Sequence, residues 1–370
     1  MNILVTGSKG FIGKHLCLTL KRNNYNVFEY DIDSNKKDLV TYIKNADFVI
    51  HLAGINRPLS KDEFYDGNTN FTKFLVDLIK ENNRLELPII MASSIQAELD
   101  NDYGKSKLLA ENYLFSSGLN VFIYRLKNVF GKWCKPNYNS VFATFSYNIA
   151  HNLDIHINDK NAYVNFNYVI DVVNEFMNVI SSNKIGSKKI LYIEPSYKIS
   201  LTFLADLLYY FKKEVESDNH LPIINNDFEL KAFISFLDYL SGDGYFYNFA
   251  SDDRGFFEEL YKSKKYGQIS LNMSYPHITK GGHYHTYKKE LFYVVKGKCE
   301  IIQESVKDNK KIVDIVSADE KKIINILPNY IHSITNIGDN NSLTLMWISE
   351  IFDKNNPDTY KVELSKDANK

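Results

Sequence analysis

Gly7, Gly10 and Gly13 follow the apolar run 2–6 (NILVT) and open a stretch with helical periodicity from Phe11 to Arg22. A strand that turns on glycine directly into a helix leaves few architectures open. The glycines permit a tight turn, close backbone approach to a pyrophosphate and close helix packing, while the helix N-terminus favours an anion. Further strands are expected at 26–31, 46–52, 88–92 and 121–124, and helices at 71–80 and 104–115. Alternation of this kind over roughly 130 residues predicts an α/β, doubly wound parallel sheet.

The pattern then changes. Residues 132–240 are less regular, with helices expected at 202–212 and 229–240 after the polar loop SSNKIGSKK. SGDGY at 241–245 interrupts the chain, and beyond it come short β-runs such as YGQISLNMS, ELFYVVKG and LTLMWIS. These predict an all-β sandwich or barrel. Two domains follow, 1–243 and 244–370, and 44% hydrophobic residues suffice for two cores. With 44 Lys+Arg against 45 Asp+Glu, the chain carries no electrostatic footprint for nucleic acid or anionic lipid. No run approaches the ~20 apolar residues of a membrane span. Its N-terminal residues do not read as a signal peptide. Cys17, Cys134 and Cys299 are too scattered for a disulfide framework or a thiolate metal site. The expectation is a soluble, cytoplasmic protein with no nucleic-acid or membrane partner.

Asp31 ends the second expected strand, where an acid can accept both adenosine ribose hydroxyls and would repel a 2′-phosphate. Tyr103 and Lys107 are four residues apart, on one face of a helix. An ammonium beside a phenol would lower the phenol's pKa, preparing it for proton exchange, and Ser94 at a strand end could bind the same substrate oxygen.

These residues, with HLAG at 51–54, Arg125-x-x-Asn128-x-x-Gly131 and Tyr168-x-x-Asp171, resemble the extended short-chain dehydrogenase/reductase superfamily, which has a Rossmann fold. The resemblance implies an NAD(P) site formed by Gly7, Lys9, Gly10, Phe11, Ile12 and Gly13. Asp38 and Leu39 would border the adenine, and Leu52, Ala53 and Gly54 the cofactor ribose. Tyr103 would donate the proton, Lys107 would hold the nicotinamide ribose, and Asn128 would face the substrate. The short Ser94-to-Tyr103 interval implies a trimmed loop beside the substrate.

In the second half, His283 and His285 alternate in an expected strand and so share one face. Glu290 opens the next strand and His332 lies on a later one. Three imidazoles and a carboxylate suit Zn²⁺, and also Fe, Mn or Ni. The spacing His283-x-His285-x4-Glu290-x6-Gly297 resembles the first motif of the cupin superfamily, a jelly roll, with Leu327 to His332 as a degenerate second motif. Asp253-Arg254-Gly255 and Lys280 to Tyr284 also resemble the metal-free dTDP-4-keto-6-deoxysugar epimerases, in which the position of His283 is a base. Ligand and base are both open for His283, and the second imidazole at His285 favours ligand. His277, Tyr284 and Tyr287 are further acid/base candidates.

Across the whole chain, NVFGKWCKPNYNSV at 128–141, HLAGINRP at 51–58, SSIQA at 93–97 and NNPDTY at 355–360 resemble the CapF family of capsular-polysaccharide enzymes and their O-antigen counterparts. That resemblance implies C3 epimerisation of a UDP-2-acetamido-2,6-dideoxy-4-hexulose in the cupin domain, then C4 reduction in the reductase domain. The product would be UDP-2-acetamido-2,6-dideoxy-L-talose, a precursor of N-acetyl-L-fucosamine. It further implies NADPH, zinc and a homodimer, and it places Lys132, Trp133 and Asn137 near the nucleotide sugar, although the residues alone make only a polar loop. Asp31 and Ile32 depart from a 2′-phosphate binder, so NADH and NADPH both stay open. Two other readings stand beside this one: a single-step reductase whose cupin is a metal-stabilised dimerisation module, and a dinucleotide-sensing regulator without turnover.

Overall fold

The computed structural model describes residues 1–182, 186, 189–216, 220–240 and 250–362. They divide into two compact units, Met1–Tyr209 with Asn226–Ser241, and Tyr210–Asn225 with Gly242–Lys370. The cut expected at 243/244 lies outside the described residues, as does most of the 181–189 loop. Residues 210–225 group with the second unit, not with the first.

The first unit opens with β1 (Asn2–Thr6), α1 (Phe11–Arg22), β2 (Asn26–Tyr30), α2 (Lys36–Asn45) and β3 (Phe48–His51). A short helical turn α3 (Asp62–Phe64) runs through a π-helical stretch, Tyr65–Asn70, into α4 (Phe71–Glu81). Next come β4 (Ile89–Ser94), α5 (Asp102–Ser116), β5 (Val121–Leu126), β6 (Asn128–Phe130), α6 (Val141–Ala150), β7 (Tyr163–Tyr168) and α7 (Val169–Ser181). β8 (Ile190–Leu191), β9 (Tyr197–Ser200), α8 (Leu201–Glu216) and α9 (Asp227–Phe236) complete the helical part of the chain. The main sheet has the order β2-β1-β3-β4-β5-β8 and every pairing in it is parallel. Helices cover both faces, so the strands are apolar on both sides. Leu4 packs with Leu39, Leu75 and Ile123 on one face, and Ile3 with Leu16, Ile50 and Val172 on the other. The chain leaves β1 toward β2 on one side, while β3 lies on the other. The crevice this opens at the strand C-termini is where open α/β sheets bind ligands. The stretch that read as less regular holds a small β6-β7-β9 sheet. No helix among the described residues is long and apolar enough to cross a membrane.

The second unit contains β10 (Ala250–Asp252), β11 (Gly255–Ser263), β12 (Gly267–Ser274), β13 (Thr279–Tyr284), β14 (Glu290–Lys296) and β15 (Lys298–Ser305). It continues through β16 (Lys311–Ser317), β17 (Ile323–Ile326), β18 (Tyr330–Asn336), β19 (Ser342–Ile348) and β20 (Tyr360–Lys361). Two antiparallel sheets form, β10-β11-β12-β19-β14-β17 and β16-β15-β18-β13-β20. At one end Phe292, Val294, Ile301, Ile324 and Ile334 make an apolar core. On β12 the usual alternation is inverted: Gln268, Ser270, Asn272 and Ser274 are buried, while Ile269, Leu271 and Met273 are left partly exposed. Of these four, Gln268 and Asn272 line a cavity of about 590 Å³.

Candidate active sites

At the end of β1, Gly7 has φ +72°, and a Cβ there would lie 2.7 Å from the Ala53 nitrogen. A Cβ on Gly13 would lie 2.2 Å from the Gly7 carbonyl oxygen, so this helix can approach its strand only as glycine. Gly10 is the N-cap of α1, whose first turn, with Phe11 and Ile12, has no side-chain cap and no acidic residue. Its N–H donors face the crevice free for an anion. The Asp31 carboxylate accepts from the Lys9 backbone N–H at 2.7 Å and from Ile32 N–H at 2.8 Å. The Lys9 ammonium pairs with Asp33. Asp38 is exposed in the first turn of α2. Leu39, expected to border the adenine, is 0% exposed and packs with Leu4 and Tyr30.

Leu52 and Ala53 leave β3 against Thr6, whose carbonyl accepts from Leu52 N–H at 3.0 Å. A Cβ on the exposed Gly54 would sit 2.6 Å from Asn68 Oδ1 and 3.5 Å from Lys107 Nζ. The π-helical stretch thus aims a buried asparagine at the turn beside the lysine. Asn68 accepts from Ile55 N–H and donates to Ser106 Oγ. No strand or helix periodicity betrays this residue.

Tyr103 sits in the first turn of α5, and Ser94 ends β4 facing it across the 3₁₀ turn Ile95–Glu98. That turn is short because α5 begins at once: Asn101 caps it through Gly104 N–H at 2.8 Å. Ser94, Tyr103 and Lys107 are brought together, but their electrostatics differ from expectation. Lys107 Nζ donates to the Ala92 carbonyl at 2.9 Å, and burial lowers its pKa to about 8 against the partly restoring pull of Glu111. Burial raises the Tyr103 phenol, opposed only by its hydrogen bond with Ser94. At neutral pH this tyrosine is therefore a held phenol, the protonation state a proton donor needs.

Asn128 is exposed on β6 with its amide toward the Asn165 carbonyl. The Lys132 carbonyl accepts from His15 of α1 at 2.9 Å, and Trp133 stacks on that imidazole with centroids 4.3 Å apart. Trp133 has φ +66°, held by its N–H bond to Asp238, and its side chain is half exposed. Asn137 also has positive φ, and its carbonyl accepts from Arg57 of the loop after β3. The 132–139 loop therefore lies against α1.

In the second unit His283 on β13 pairs in register with His332 on β18, His285 follows β13, and Glu290 opens β14. The ring centroids of the three histidines are 4.6–5.4 Å apart. One nitrogen from each lies within 4.8 Å of the others. Glu290 Oε2 is 2.9 Å from His332 Nε2, yet this oxygen and His285 Nε2 are buried without a hydrogen bond. Buried polar atoms are seldom orphaned. Here they converge, as the donors around a divalent cation do. Their other nitrogens are committed: His285 Nδ1 donates to the Asp358 carbonyl at 2.5 Å and His332 Nδ1 to the Tyr330 carbonyl at 3.1 Å. Those bonds aim the Nε2 lone pairs inward. Burial and the neighbouring rings lower His283 to about 4. Burial pushes Glu290 up, but His285 and His332 hold it at about 2. A neutral imidazole and an ionised carboxylate are the states that ligate. The residues therefore fit a divalent transition metal.

Asp358 was present in the sequence only as part of NNPDTY. Its buried carboxylate accepts from the N–H groups of Thr286, Tyr287 and Lys288, bracing the turn between His285 and Glu290. Tyr284 instead stacks on Tyr360, and Tyr287 is exposed beside Asn356. Neither these two nor His277 lines the cavity that holds His283, His285, Glu290 and His332.

Residues 3–193 match the NAD dependent epimerase/dehydratase family and residues 250–360 the polysaccharide biosynthesis C-terminal domain. The chain is 37% identical, over the full length of both, to a UDP-2-acetamido-2,6-beta-L-arabino-hexul-4-ose reductase from Pseudomonas aeruginosa. It is also similar to the crystal structure of the capsular polysaccharide assembling protein CapF from Staphylococcus aureus, 41% identical, with a TM-score of 0.89 over 98% of this chain and 100% of that one. A UDP-glucuronic acid 4-epimerase from Bacillus cereus, solved with UDP-glucuronic acid and NAD, shares the first unit's fold at 17% identity, covering 65% of this chain and 99% of its own, with a TM-score of 0.56.

Proposed function

The chain belongs to the NAD dependent epimerase/dehydratase family, in the full-length group that includes CapF, and from this premise we propose a bifunctional enzyme of UDP-amino-sugar synthesis. It is an NAD(P)-dependent oxidoreductase acting on a UDP-sugar keto intermediate. The finer reading is C3 epimerisation of a UDP-2-acetamido-2,6-dideoxy-4-hexulose in the second, cupin-type unit, then C4 reduction in the first. The product is UDP-2-acetamido-2,6-dideoxy-L-talose, made for capsule or O-antigen polysaccharide.

The observation that carries the reading is the Ser94–Tyr103–Lys107 group, with its phenol held protonated, beside a glycine turn open to a pyrophosphate. Hydride delivered to C4 from NADH or NADPH leaves an alkoxide. Tyr103 protonates it while Ser94 orients the oxygen, and the Lys107 ammonium supplies the positive charge that makes the phenol a stronger acid as it donates. Asp31 and Asp33 both put negative charge where a 2′-phosphate would lie, which supports NADH, whereas the Lys9 ammonium beside them supports NADPH.

A 4-ketone acidifies the C3 hydrogen, so an enolate can form and take its proton back on the other face. A zinc ion or another divalent metal held by His283, His285, Glu290 and His332 would supply positive charge for such an oxyanion. The polar wall of Gln268 and Asn272 suits a hydroxylated substrate. The apolar outer face of the same sheet, with Ile269, Leu271, Leu345 and Ile323 left partly exposed, supports a homodimer through this unit.

The test is NMR of the 4-hexulose in D2O without nicotinamide, followed by addition of NADH or NADPH. Deuterium at C3 before reduction is the expected result. Reduction without prior exchange leaves the second unit as scaffold, and the absence of both reactions refutes the substrate. Tyr103→Phe is expected to keep C3 exchange and to lose reduction by a factor of about 10²–10⁴.

A further inference from the structure

One buried group in the first unit is not used by the chemistry above. Glu111 is 1% exposed. It lies one turn beyond Lys107 and two beyond Tyr103 on α5, so all three occupy a single stripe of the helix. Its carboxylate is fully engaged. Ser93 Oγ donates to Oε1 at 2.5 Å, and Arg125 of β5 donates from Nε at 3.0 Å and from Nη2 to Oε2 at 2.7 Å. The remaining arm of Arg125 donates to Glu98 Oε1 at 2.8 Å, on the turn directly after Ser94. One acid thus ties together the helix of Tyr103 and Lys107, the strand that ends in Ser94, and the turn that follows it.

The charges also close. Lys107 and Arg125 are two cations behind β4, and Glu111 and Glu98 are two carboxylates. From β3, His51 faces the same region, but burial lowers it to about 3 and it is neutral at working pH, bonded to Thr6 and Thr72. From the π-helical stretch comes Asn68, which is uncharged, and from β4 only the Ala92 carbonyl. A buried ammonium without a carboxylate nearby gives up its proton. Glu111 is the nearest acid along the stripe and opposes that loss.

We propose that Glu111 is the positioning residue of the reductase centre, clamping Ser93 and Arg125 behind the catalytic strand and balancing the charge of Lys107 so that it works as an ammonium. Arg125 sets how much of that balance Lys107 receives, because it neutralises the same carboxylate. The inference rests on the reading of Tyr103 and Lys107 as the reductase machinery.

The test is the pH profile of kcat/KM for NAD(P)H-dependent reduction of the 4-hexulose by the full-length enzyme. Wild type should lose activity on an alkaline limb as Lys107 deprotonates. Glu111→Gln keeps the shape and removes the charge, so its limb should fall by about one pH unit. Arg125→Gln leaves the Glu111 charge uncompensated, so its limb should rise above that of wild type. Arg125→Lys should restore the wild-type limb. A merely structural clamp would lower activity in both Gln variants without moving their limbs in opposite directions. A wild type that does not reduce the ketose refutes the reading of Tyr103 and Lys107 before any variant is compared. An active wild type with an E111Q limb that does not move, or Gln variants that move the same way, overturns the role of Glu111. If R125Q does not fold, the E111Q and R125K limbs decide the matter.

Discussion

Stripping metal from the second unit should lower its melting temperature, and the size of the effect follows from the four donors. His285 Nε2 and Glu290 Oε2 are buried without a hydrogen bond, and His332 Nε2 faces the same carboxylate. An orphaned buried polar atom costs roughly 1–3 kcal/mol. Two of them satisfied by one cation return about 4 kcal/mol. Binding linkage gives a similar figure, about 4 kcal/mol when the free ion stands at 1,000 times its dissociation constant. For a domain of this size about 1 kcal/mol moves the midpoint by roughly 3 °C, so saturation should raise the transition by about 10 °C. The assay is calorimetry of chelator-treated protein titrated with Zn²⁺, Mn²⁺, Fe²⁺ and Ni²⁺ in turn, with His332→Ala as control. A rise below about 2 °C with every ion, or an equal rise in His332→Ala, would refute the argument that the orphaned atoms converge on a cation.

Three further outcomes are expected. Gly13→Ala puts a methyl 2.2 Å from the Gly7 carbonyl, which forces α1 off its strand, and should weaken NAD(P)H binding by at least about tenfold by fluorescence titration. Lys107 titrates near 8 in the fold, against 10.5 for a free lysine. Between those values the unfolded chain binds more protons, so stability rises with pH through that window and is lost as pH falls through 8. Lys107→Met should remove about 3 kcal/mol of this slope, read by denaturant melts of both proteins at pH 7 and pH 10. Ile269→Glu on the outer face of β12 should yield a monomer in sedimentation with its metal content unchanged, and a dimer that survives the substitution would exclude that face as the interface.

The first unit's sheet was legible because each central strand is a short apolar run covered on both sides, and the Gly7, Gly10, Gly13 spacing has one mechanical use. The small β6-β7-β9 sheet was not, since Asn128–Phe130 and Tyr163–Tyr168 mix polar and aromatic residues with no clean period. His283, His285, Glu290 and His332 could be chosen from spacing, because a strand puts alternate residues on one face. The sense of the Tyr103 shift could not be read: Lys107 at i+4 looks like a partner, but its ammonium turns to a backbone carbonyl and burial dominates the phenol. The burial of Leu39 was hidden for a related reason, since a motif position says nothing of whether its side chain packs into the core. Glu111 completes a visible four-residue repeat, but only the third dimension supplies Ser93 and Arg125.

The inverted alternation of β12 bears on how this unit can change over time. In most sandwiches the residues that face inward are also those that hold the fold together, so altering the interior endangers the whole. Here cohesion comes largely from Val294, Ile301, Val316, Ile324 and Ile326, which do not line the hollow, while Gln268 and Asn272 face it. Exchanging such wall residues for others of similar size alters what the hollow accepts while leaving the stabilising cluster intact. The second unit is therefore built as a replaceable receptacle, free to drift in what it accepts at little cost to its integrity.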